Sequence, residues 1–152
     1  MKFMIINGPN LNLLGVREPN IYGAETYTDL IEKIKQYANT IGVEAECYQS
    51  NHEGDLVDAI HKAYFEKYDG IVINPGAYTH TSIALLDAVK ATQMPTVEVH
   101  ISAVEQREAF RQISYIREAC ILTITGQGTN GYLQAMDYLK NWKSGEVQWI
   151  KE

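Results

Sequence analysis

The fold follows from one short apolar stretch near the middle of the chain, Gly70-Ile71-Val72-Ile73-Asn74. The stretch lacks the apolar and polar alternation of a half-exposed strand, which is typical of a strand buried on both faces in a parallel sheet. A polar run follows it at once, Pro75-Gly76-Ala77-Tyr78-Thr79-His80-Thr81-Ser82. The sequence therefore predicts a buried parallel strand at 70–74 with polar residues at its carboxyl end.

Four further β-rich runs surround this stretch and alternate with helical patterns. The predicted strands are Lys2–Asn7, Val43–Gln49, Thr96–Ile101 and Ile121–Thr125. The run 43–49 alternates apolar and polar residues, as expected of an edge strand with one half-exposed face. The predicted helices are Thr28–Ile41, Glu53–Tyr68 with Tyr64 on its apolar stripe, Thr81–Thr92 with Thr81 as N-cap, a shorter helix Val104–Phe110, and Gly131–Trp142.

The repeated alternation of strand and helix predicts an α/β fold, a parallel sheet with helices on both faces. With strand 43–49 at an edge, fold rules favour a flavodoxin-like three-layer sandwich whose five strands have the order 2-1-3-4-5. Ligands of such sheets bind beyond the carboxyl ends of the strands, where the winding reverses. The chain has 152 residues, so we predict a single catalytic domain over 1–152.

Composition excludes several classes of function. The net charge of −6 argues against nucleic-acid binding, which needs a basic face. No apolar run approaches the roughly 20 residues of a membrane helix, and the first apolar run is too short for a signal peptide. We therefore expect a cytoplasmic protein that binds no membrane. Cys47 and Cys120 lie far apart in apolar segments and are interpreted as buried thiols, without a disulfide or a zinc site.

Polar side chains meet at the carboxyl ends of strands 1, 3 and 4. They are Asn10, Asn74, His80, His100 and Ser102. One histidine alone is more often structural, but convergence of these residues at the expected crevice favours a site. Glu98 and His100 are two apart in a strand and share a face, which fits either a general acid or base or a sheet-face ion pair.

Asp87 lies seven residues after His80, about two helical turns. Asp87 shares one face of the predicted helix with Ile83 and Ala84, and we interpret that face as packed against the protein. A packed carboxylate needs a partner, either a substrate hydroxyl or a neighbouring group of the protein.

Two arginines and one long loop complete the candidates. Arg107 and Arg111 are i,i+4 neighbours that could bind a carboxylate or vicinal hydroxyls, or pair with nearby glutamates at the surface. The connection 8–25 is longer than the usual 2–6 residues of a strand-to-helix loop, as in many active-site lids. It carries Arg17 and Tyr22 as strong electrostatic or acid–base groups.

The run 126–131 matches a dinucleotide-binding pattern, but no later strand supplies the required acidic residue. We predict a tight turn and a close helix–strand contact there instead. A rival function is a flavodoxin-like binding module, holding FMN or acting as a phospho-acceptor receiver. A receiver needs aspartates after strands 1 and 3, whereas this chain has Asn7, Asn10 and Asn74.

Long ordered motifs closely resemble those of type II 3-dehydroquinate dehydratases, from strand 1 through Gly131-Tyr132. They are 7–15, 17–19, 22–23, 49–51, 53–54, 74–82, 98–102 and 107–111. The resemblance implies a flavodoxin-like hydro-lyase of the shikimate pathway, which makes aromatic amino acids. It also implies a homododecamer, a tetramer of trimers, that uses no cofactor and no metal. Another hydro-lyase or isomerase acting on a polyhydroxylated keto acid is the alternative enzyme.

The resemblance also implies a role for each catalytic residue in the conversion of 3-dehydroquinate to 3-dehydroshikimate by anti elimination. Tyr22 is similar to the base that removes the C2 proton, and Arg17 to the loop residue that favours the tyrosinate. Asn10 resembles the residue that stabilises the enolate through a water. His100, oriented by Glu98, resembles the acid that protonates the departing hydroxyl.

The remaining residues are similar to those that bind the substrate. Asn74, His80, Asp87 and Arg111 would bind the substrate with their side chains. Ile101 and Ser102 would bind it with their backbone amides. Ala103 and Glu105 stand where many members of the family have Asn and His. Loss of water β to a ketone needs a base, an oxyanion stabiliser and an acid, and these candidates include one of each.

Overall fold

A computed structural model describes residues 1–16, 20 and 24–145 of the chain. It contains five strands, β1 Lys2–Asn7, β2 Glu44–Gln49, β3 Gly70–Asn74, β4 Thr96–His100 and β5 Leu122–Thr125. All neighbouring pairs are parallel, and their order is β2-β1-β3-β4-β5. The predicted flavodoxin-like order is therefore confirmed, and the strand bounds differ from prediction by at most one residue.

The described residues also form four α-helices. Three connect strands, α1 Tyr27–Ile41, α2 Glu53–Phe65 and α3 Ile83–Thr92, and α4 Asn130–Lys143 follows β5. The start of α1 is fixed by a capping box, in which Thr26 Oγ1 accepts from the Asp29 amide and Asp29 Oδ2 accepts from the Thr26 amide. The helix ends at Gly42, whose φ of 73° is left-handed. None of the helices in the described residues is long and apolar enough to cross a membrane.

The sheet is buried on both faces, and β1 shows this residue by residue. Phe3 and Ile5 pack in a core with α1 and α4, whereas Met4 and Ile6 pack in a second core with α2 and α3. Successive side chains of a strand point to opposite faces, and β3 likewise contributes Val72 to the first core and Ile71 and Ile73 to the second. The three-layer arrangement follows from this burial.

Two helical predictions are wrong in their details. The segment 104–110 forms two 3-10 turns, Val104–Gln106 and Ala109–Gln112, because Arg107 between them is extended. The N-cap of α3 is Ser82 and not Thr81, since Ser82 Oγ accepts from the Leu85 amide at 3.0 Å. Thr81 instead closes the preceding 3-10 turn, Gly76–His80.

Two predicted apolar stripes are also corrected. In α3 the packed residues are Leu85, Leu86, Ala88 and Val89. Ile83 is 55% exposed and Asp87 is exposed, so the stripe that holds Asp87 faces outward. In α2, Tyr64 is 49% exposed, because the chain reverses at Lys67 with a φ of 58° and Tyr68 takes the buried place.

Both cysteines are free, Cys120 buried and Cys47 half-buried. Cys47 is therefore more exposed than the buried thiol that the sequence predicts.

The glycine-rich run after β5 forms the predicted tight turn and close helix–strand contact. Gly126 and Gly128 have φ values of 71° and 58°, a region that disfavours other residues. A Cβ at Gly131 would lie 3.2 Å from Val99 Cγ1 and 3.4 Å from Ile124 Cγ2. The missing side chain therefore allows α4 to approach the sheet.

Gly131→Ala tests this close approach. The new methyl group would press α4 away from β4 and β5, so we expect the free energy of unfolding to fall by about 1–3 kcal/mol. Gly54→Ala is the matched control: Gly54 is also the second residue of its helix, but its Cβ would meet nothing within 4 Å. Urea titration should show the control stabilised by about 0.5–1 kcal/mol. Equal stabilisation of both variants would contradict the contact.

Candidate active site

Seven of the predicted site residues line one pocket at the carboxyl ends of β1, β3 and β4. They are Asn10, Asn74, His80, His100, Ile101, Ser102 and Arg111. The position is the one that the fold rules give, since β1 lies between β2 and β3 and the winding reverses there. Arg107 also lines the pocket.

The floor of the pocket is formed where β1 and β3 end in register, with Asn7 opposite Asn74. Asn74 is buried, and its Oδ1 accepts from the Gly76 amide at 3.1 Å. The two turns that follow the strands touch closely, because a Cβ at Gly8 would lie 2.3 Å from the Pro75 oxygen. Asn10, next along the first turn, has a left-handed φ of 68°.

His80 ends the 3-10 turn after β3 and has a defined tautomer. Its Nδ1 lies 2.7 Å from the Ile113 carbonyl oxygen. A carbonyl only accepts, so Nδ1 carries a hydrogen and Nε2 is left for a ligand. Burial lowers the pKa of His80, and the positive charges of His100 and Arg111 act in the same direction, although the Ile113 carbonyl opposes them. The neutral imidazole is therefore favoured.

His100 and Glu98 form a buried pair, as their shared strand face predicts. His100 Nε2 lies 2.5 Å from Glu98 Oε2, and Glu98 is fully buried. The carboxylate also accepts from Ser114 Oγ at 2.7 Å, from Thr123 Oγ1 at 3.1 Å, and from Arg117 Nε and Nη2 at 3.1 and 3.2 Å. One carboxylate thus holds four side chains.

These partners determine the charge of Glu98. Burial alone would raise the pKa of its carboxyl, but the hydrogen bonds and positive charges of His100 and Arg117 outweigh burial and lower that pKa to about 2. Glu98 is therefore ionised at neutral pH and accepts the Nε2 hydrogen of His100. Nδ1 remains as the nitrogen of His100 that can exchange a proton with a ligand.

The two arginines make the pocket positive. The side chains of Arg107 and Arg111 are 14% and 19% exposed, whereas Glu108 beside them is 54% exposed. Arg111 Nε donates to Glu108 Oε2 at 2.7 Å, and Arg107 Nε lies 3.9 Å from the same oxygen. Both guanidinium groups thus lie at the pocket, where a positive charge suits an anionic ligand.

Two predicted residues lie outside the pocket lining, and two others cannot be compared with it. Glu98 stands behind His100 and does not line the pocket, and exposed Asp87 lies on the outer face of α3. Arg17 and Tyr22 lie outside the described residues. Within the described ranges, no group of three or more His, Cys, Asp or Glu residues could hold a metal ion.

Sequence reasoning missed the residues that support the pocket from behind. Thr123 could have been found, because parallel strand alignment places it opposite Glu98. Ser114 and Arg117 come from the irregular segment before β5, where no local pattern marks them. Tyr132 comes from α4 and contacts both strand-end asparagines.

Glu98→Gln keeps the size of the side chain and removes its charge. Because the folded-state pKa of Glu98 lies below its ordinary value of 4.5, the carboxylate stabilises the fold above that value, and this stabilisation is lost as the pH falls toward about 2. Urea titrations between about pH 6 and pH 3 should therefore show a shallower loss of stability in Glu98→Gln than in the wild type. Glu118→Gln, at a surface ion pair with Lys90, is the control and should follow the wild type. Parallel curves for all three proteins would contradict the role of the buried charge.

The chain matches known proteins over nearly its whole length. A family model described as dehydroquinase class II matches residues 1–140. The 3-dehydroquinate dehydratase of Clostridium perfringens is 57% identical over 141 residues, which are 93% of this chain and 98% of the relative. That of Fusobacterium nucleatum is 54% identical over 141 residues, which are 91% of this chain and 96% of the relative.

A solved structure agrees with these matches. The type II dehydroquinase of Butyrivibrio crossotus superposes with a TM-score of 0.91 at 53% identity, covering 92% of this chain and 97% of that one. Sequence, fold and pocket position therefore coincide, and the chain belongs to the class II dehydroquinase family.

Proposed function

We propose that this chain removes water from 3-dehydroquinate to give 3-dehydroshikimate, a step of the shikimate pathway. Its relatives are named for this reaction, and they match it over more than nine-tenths of its length. The observation that carries the proposal is the pocket in which His100, two asparagines and two arginines meet, with Glu98 bound to His100 from behind. Those groups can grip an anionic, hydroxylated substrate and move a proton.

The positive side of the pocket supports binding of the substrate carboxylate. Arg107 and Arg111 line it from the loop after β4, and the backbone amides of Ile101 and Ser102 lie at the end of that strand. We assign the carboxylate to Arg111 and these amides, because charged donors and backbone N–H groups both favour a carboxylate. Asn74 and His80 then face the ring hydroxyls.

The acid of the elimination is His100. Glu98 accepts the Nε2 hydrogen and orients the ring, so Nδ1 can deliver the proton that the C1 hydroxyl needs to depart as water. This parallels the way a carboxylate orients a catalytic histidine in other enzymes. Asn10, acting through a water, stabilises the enolate oxygen.

The base of the elimination is Tyr22. A phenol has a pKa of about 10, so it needs a nearby cation to act as a base at neutral pH, and Arg17 in the same loop supplies that charge. Tyr22 takes the C2 proton, and the electron pair of the C2–H bond forms the enolate. When the ketone re-forms, these electrons make the C1=C2 bond, the C1–O bond breaks, and the hydroxyl leaves as water with the proton of His100. The tyrosinate and the protonated His100 are restored when the proton on Tyr22 passes to His100 through solvent.

The proposed homododecamer is supported by the position of Asp87. Asp87 is exposed on α3 and lies outside the pocket of its own chain. Its proposed contact with a substrate hydroxyl therefore requires a second copy of the chain.

The reaction itself is tested by mixing the purified protein with 3-dehydroquinate and following the ultraviolet absorbance of the conjugated enone product. We expect turnover by desalted protein in the presence of EDTA, since the proposed steps use only side chains and water. His100→Ala serves as the inactive control. No absorbance change with folded wild-type protein would overturn the proposal, and a yellow protein would point to a flavin-binding module.

Tyr22→Phe keeps the ring and removes the proton acceptor. We expect kcat to fall by at least about 10²-fold, and Arg17→Ala to be similarly damaging. The double variant should lose much less than the product of the two effects, because the residues act as one unit. The exposed Tyr64→Phe is the matched control and should keep wild-type kcat. Near-normal turnover by folded Tyr22→Phe would return the role of base to His80 or His100.

Arg111→Ala should raise KM, with a smaller effect on kcat. The guanidinium grips a group that is distant from the breaking bond, so ground state and transition state are weakened together. Asp87→Ala should behave in the same way. Lys90→Ala removes a cation from a surface ion pair and should leave both constants unchanged. A large fall in kcat at constant KM would show that Arg111 and Asp87 take part in the chemical step.

A further inference from the structure

We infer that Tyr132 is a positioning residue, whose hydroxyl, together with the Gly76 amide, holds the Asn74 amide in one orientation toward the pocket. The inference rests on the proposed function, in which Asn74 binds the substrate. Tyr132 belongs to helix α4 and not to the strands or to the loops that follow them.

Tyr132 is fully buried, and its hydroxyl joins the ends of two strands. The hydroxyl donates to Asn7 Oδ1 at 2.6 Å and accepts from Asn74 Nδ2 at 3.0 Å. Asn7 and Asn74 are register partners on β1 and β3, at the point where the winding of the sheet reverses. Tyr132 therefore lies directly beneath the floor of the pocket.

The direction of each hydrogen bond follows from the groups involved. The Gly76 amide can only donate, so the atom of Asn74 that lies 3.1 Å from it is the oxygen, Oδ1. Nδ2 then points to Tyr132, whose oxygen accepts one of its hydrogens. The phenolic proton must go to the remaining acceptor, Asn7 Oδ1.

This chain of bonds leaves Asn74 one orientation. One Nδ2 hydrogen and one lone pair of Oδ1 are used, and the other hydrogen and lone pair remain for a ligand. Burial raises the pKa of the Tyr132 hydroxyl, so it remains neutral and keeps the proton that Asn7 accepts. An amide with a fixed donor and a fixed acceptor distinguishes substrate groups that a rotating amide would not.

The packing of α4 makes this contact possible. Gly131 has no side chain between α4 and the sheet, so the next residue can reach the strand ends. The Tyr132 ring packs in the apolar core between the sheet, α1 and α4. Phenylalanine would fill that core equally well, so packing alone gives no reason for a hydroxyl at this position.

A double-mutant cycle with Tyr132→Phe and Asn74→Ala tests the inference. We expect Tyr132→Phe to raise KM for 3-dehydroquinate about five- to tenfold, the loss of about one hydrogen bond, with a smaller change in kcat. In the Asn74→Ala background the same substitution should change KM by less than about twofold, since it acts through the amide. The control is Tyr37→Phe, which removes a hydroxyl of α1 that donates to Asp137 on α4, the helix that carries Tyr132. It should leave KM unchanged in both backgrounds.

Effects that multiply independently, or a folded Tyr132→Phe with wild-type KM, would overturn the inference. If Tyr132→Phe does not fold, Asn7→Ala takes its place: it removes the acceptor of the phenolic proton, so it should raise KM and again be less than additive with Asn74→Ala. Unchanged KM in Asn7→Ala would also overturn it.

Absence of turnover by the wild type would refute the proposed function and not the positioning of Asn74. A crystal structure of Tyr132→Phe, or of Asn7→Ala, then decides. Rotation of the Asn74 amide away from Gly76 supports the inference, and an unchanged amide overturns it.

Discussion

A parallel sheet that is covered by helices on both faces has room for polar chemistry chiefly where its strands end. In this chain β3 and β4 are buried from end to end and β1 is buried beyond Lys2. The apolar side chains of β1 and β3 alternate between two cores. The polar side chains therefore gather beyond Asn7, Asn74 and His100, at one edge of the sheet. The position of the pocket follows from the burial of the strands, and the chemistry of the pocket follows from the residues that end them.

Glu98 is the exception, because it places a carboxylate inside a buried strand. An unpaired buried charge is very costly, so the surrounding structure must supply donors. They come from both sides: His100 and Thr123 from the sheet, and Ser114 and Arg117 from the segment that leads into β5. In that segment Arg117 lies on a 3-10 turn, Ile116–Ala119, and Ser114 lies shortly before it. The same carboxylate that requires this support holds His100 in a defined tautomer.

Sequence alone predicted the features that depend on local patterns. Strand 70–74 and the order of the sheet follow from apolar runs and fold rules, and the pocket residues follow from the positions at which strands end. The contact of Tyr132 with Asn7 and Asn74 spans 125 and 58 residues, and no periodicity reports it. The outward face of Asp87 was mispredicted because the apolar residues of α3 cover more than one side of the helix. The spacing of Arg107 and Arg111 suited a helix, and only the extended backbone at Arg107 shows otherwise.

The site divides between rigid strands and adaptable connections. His100 and Asn74 lie on strands and are buried. Asn74 is hydrogen-bonded to Tyr132 and Gly76, and His100 is hydrogen-bonded to Glu98, which is itself held by further side chains. Arg111 lies on the 3-10 turn Ala109–Gln112, Arg107 lies on the extended backbone before it, and exposed Glu108 is close to both. Proton transfer needs atoms fixed to within a fraction of an ångström, whereas recognition of a carboxylate tolerates small movements of long side chains. Placing the acid on a strand and the cations on a loop gives each task the rigidity that it needs.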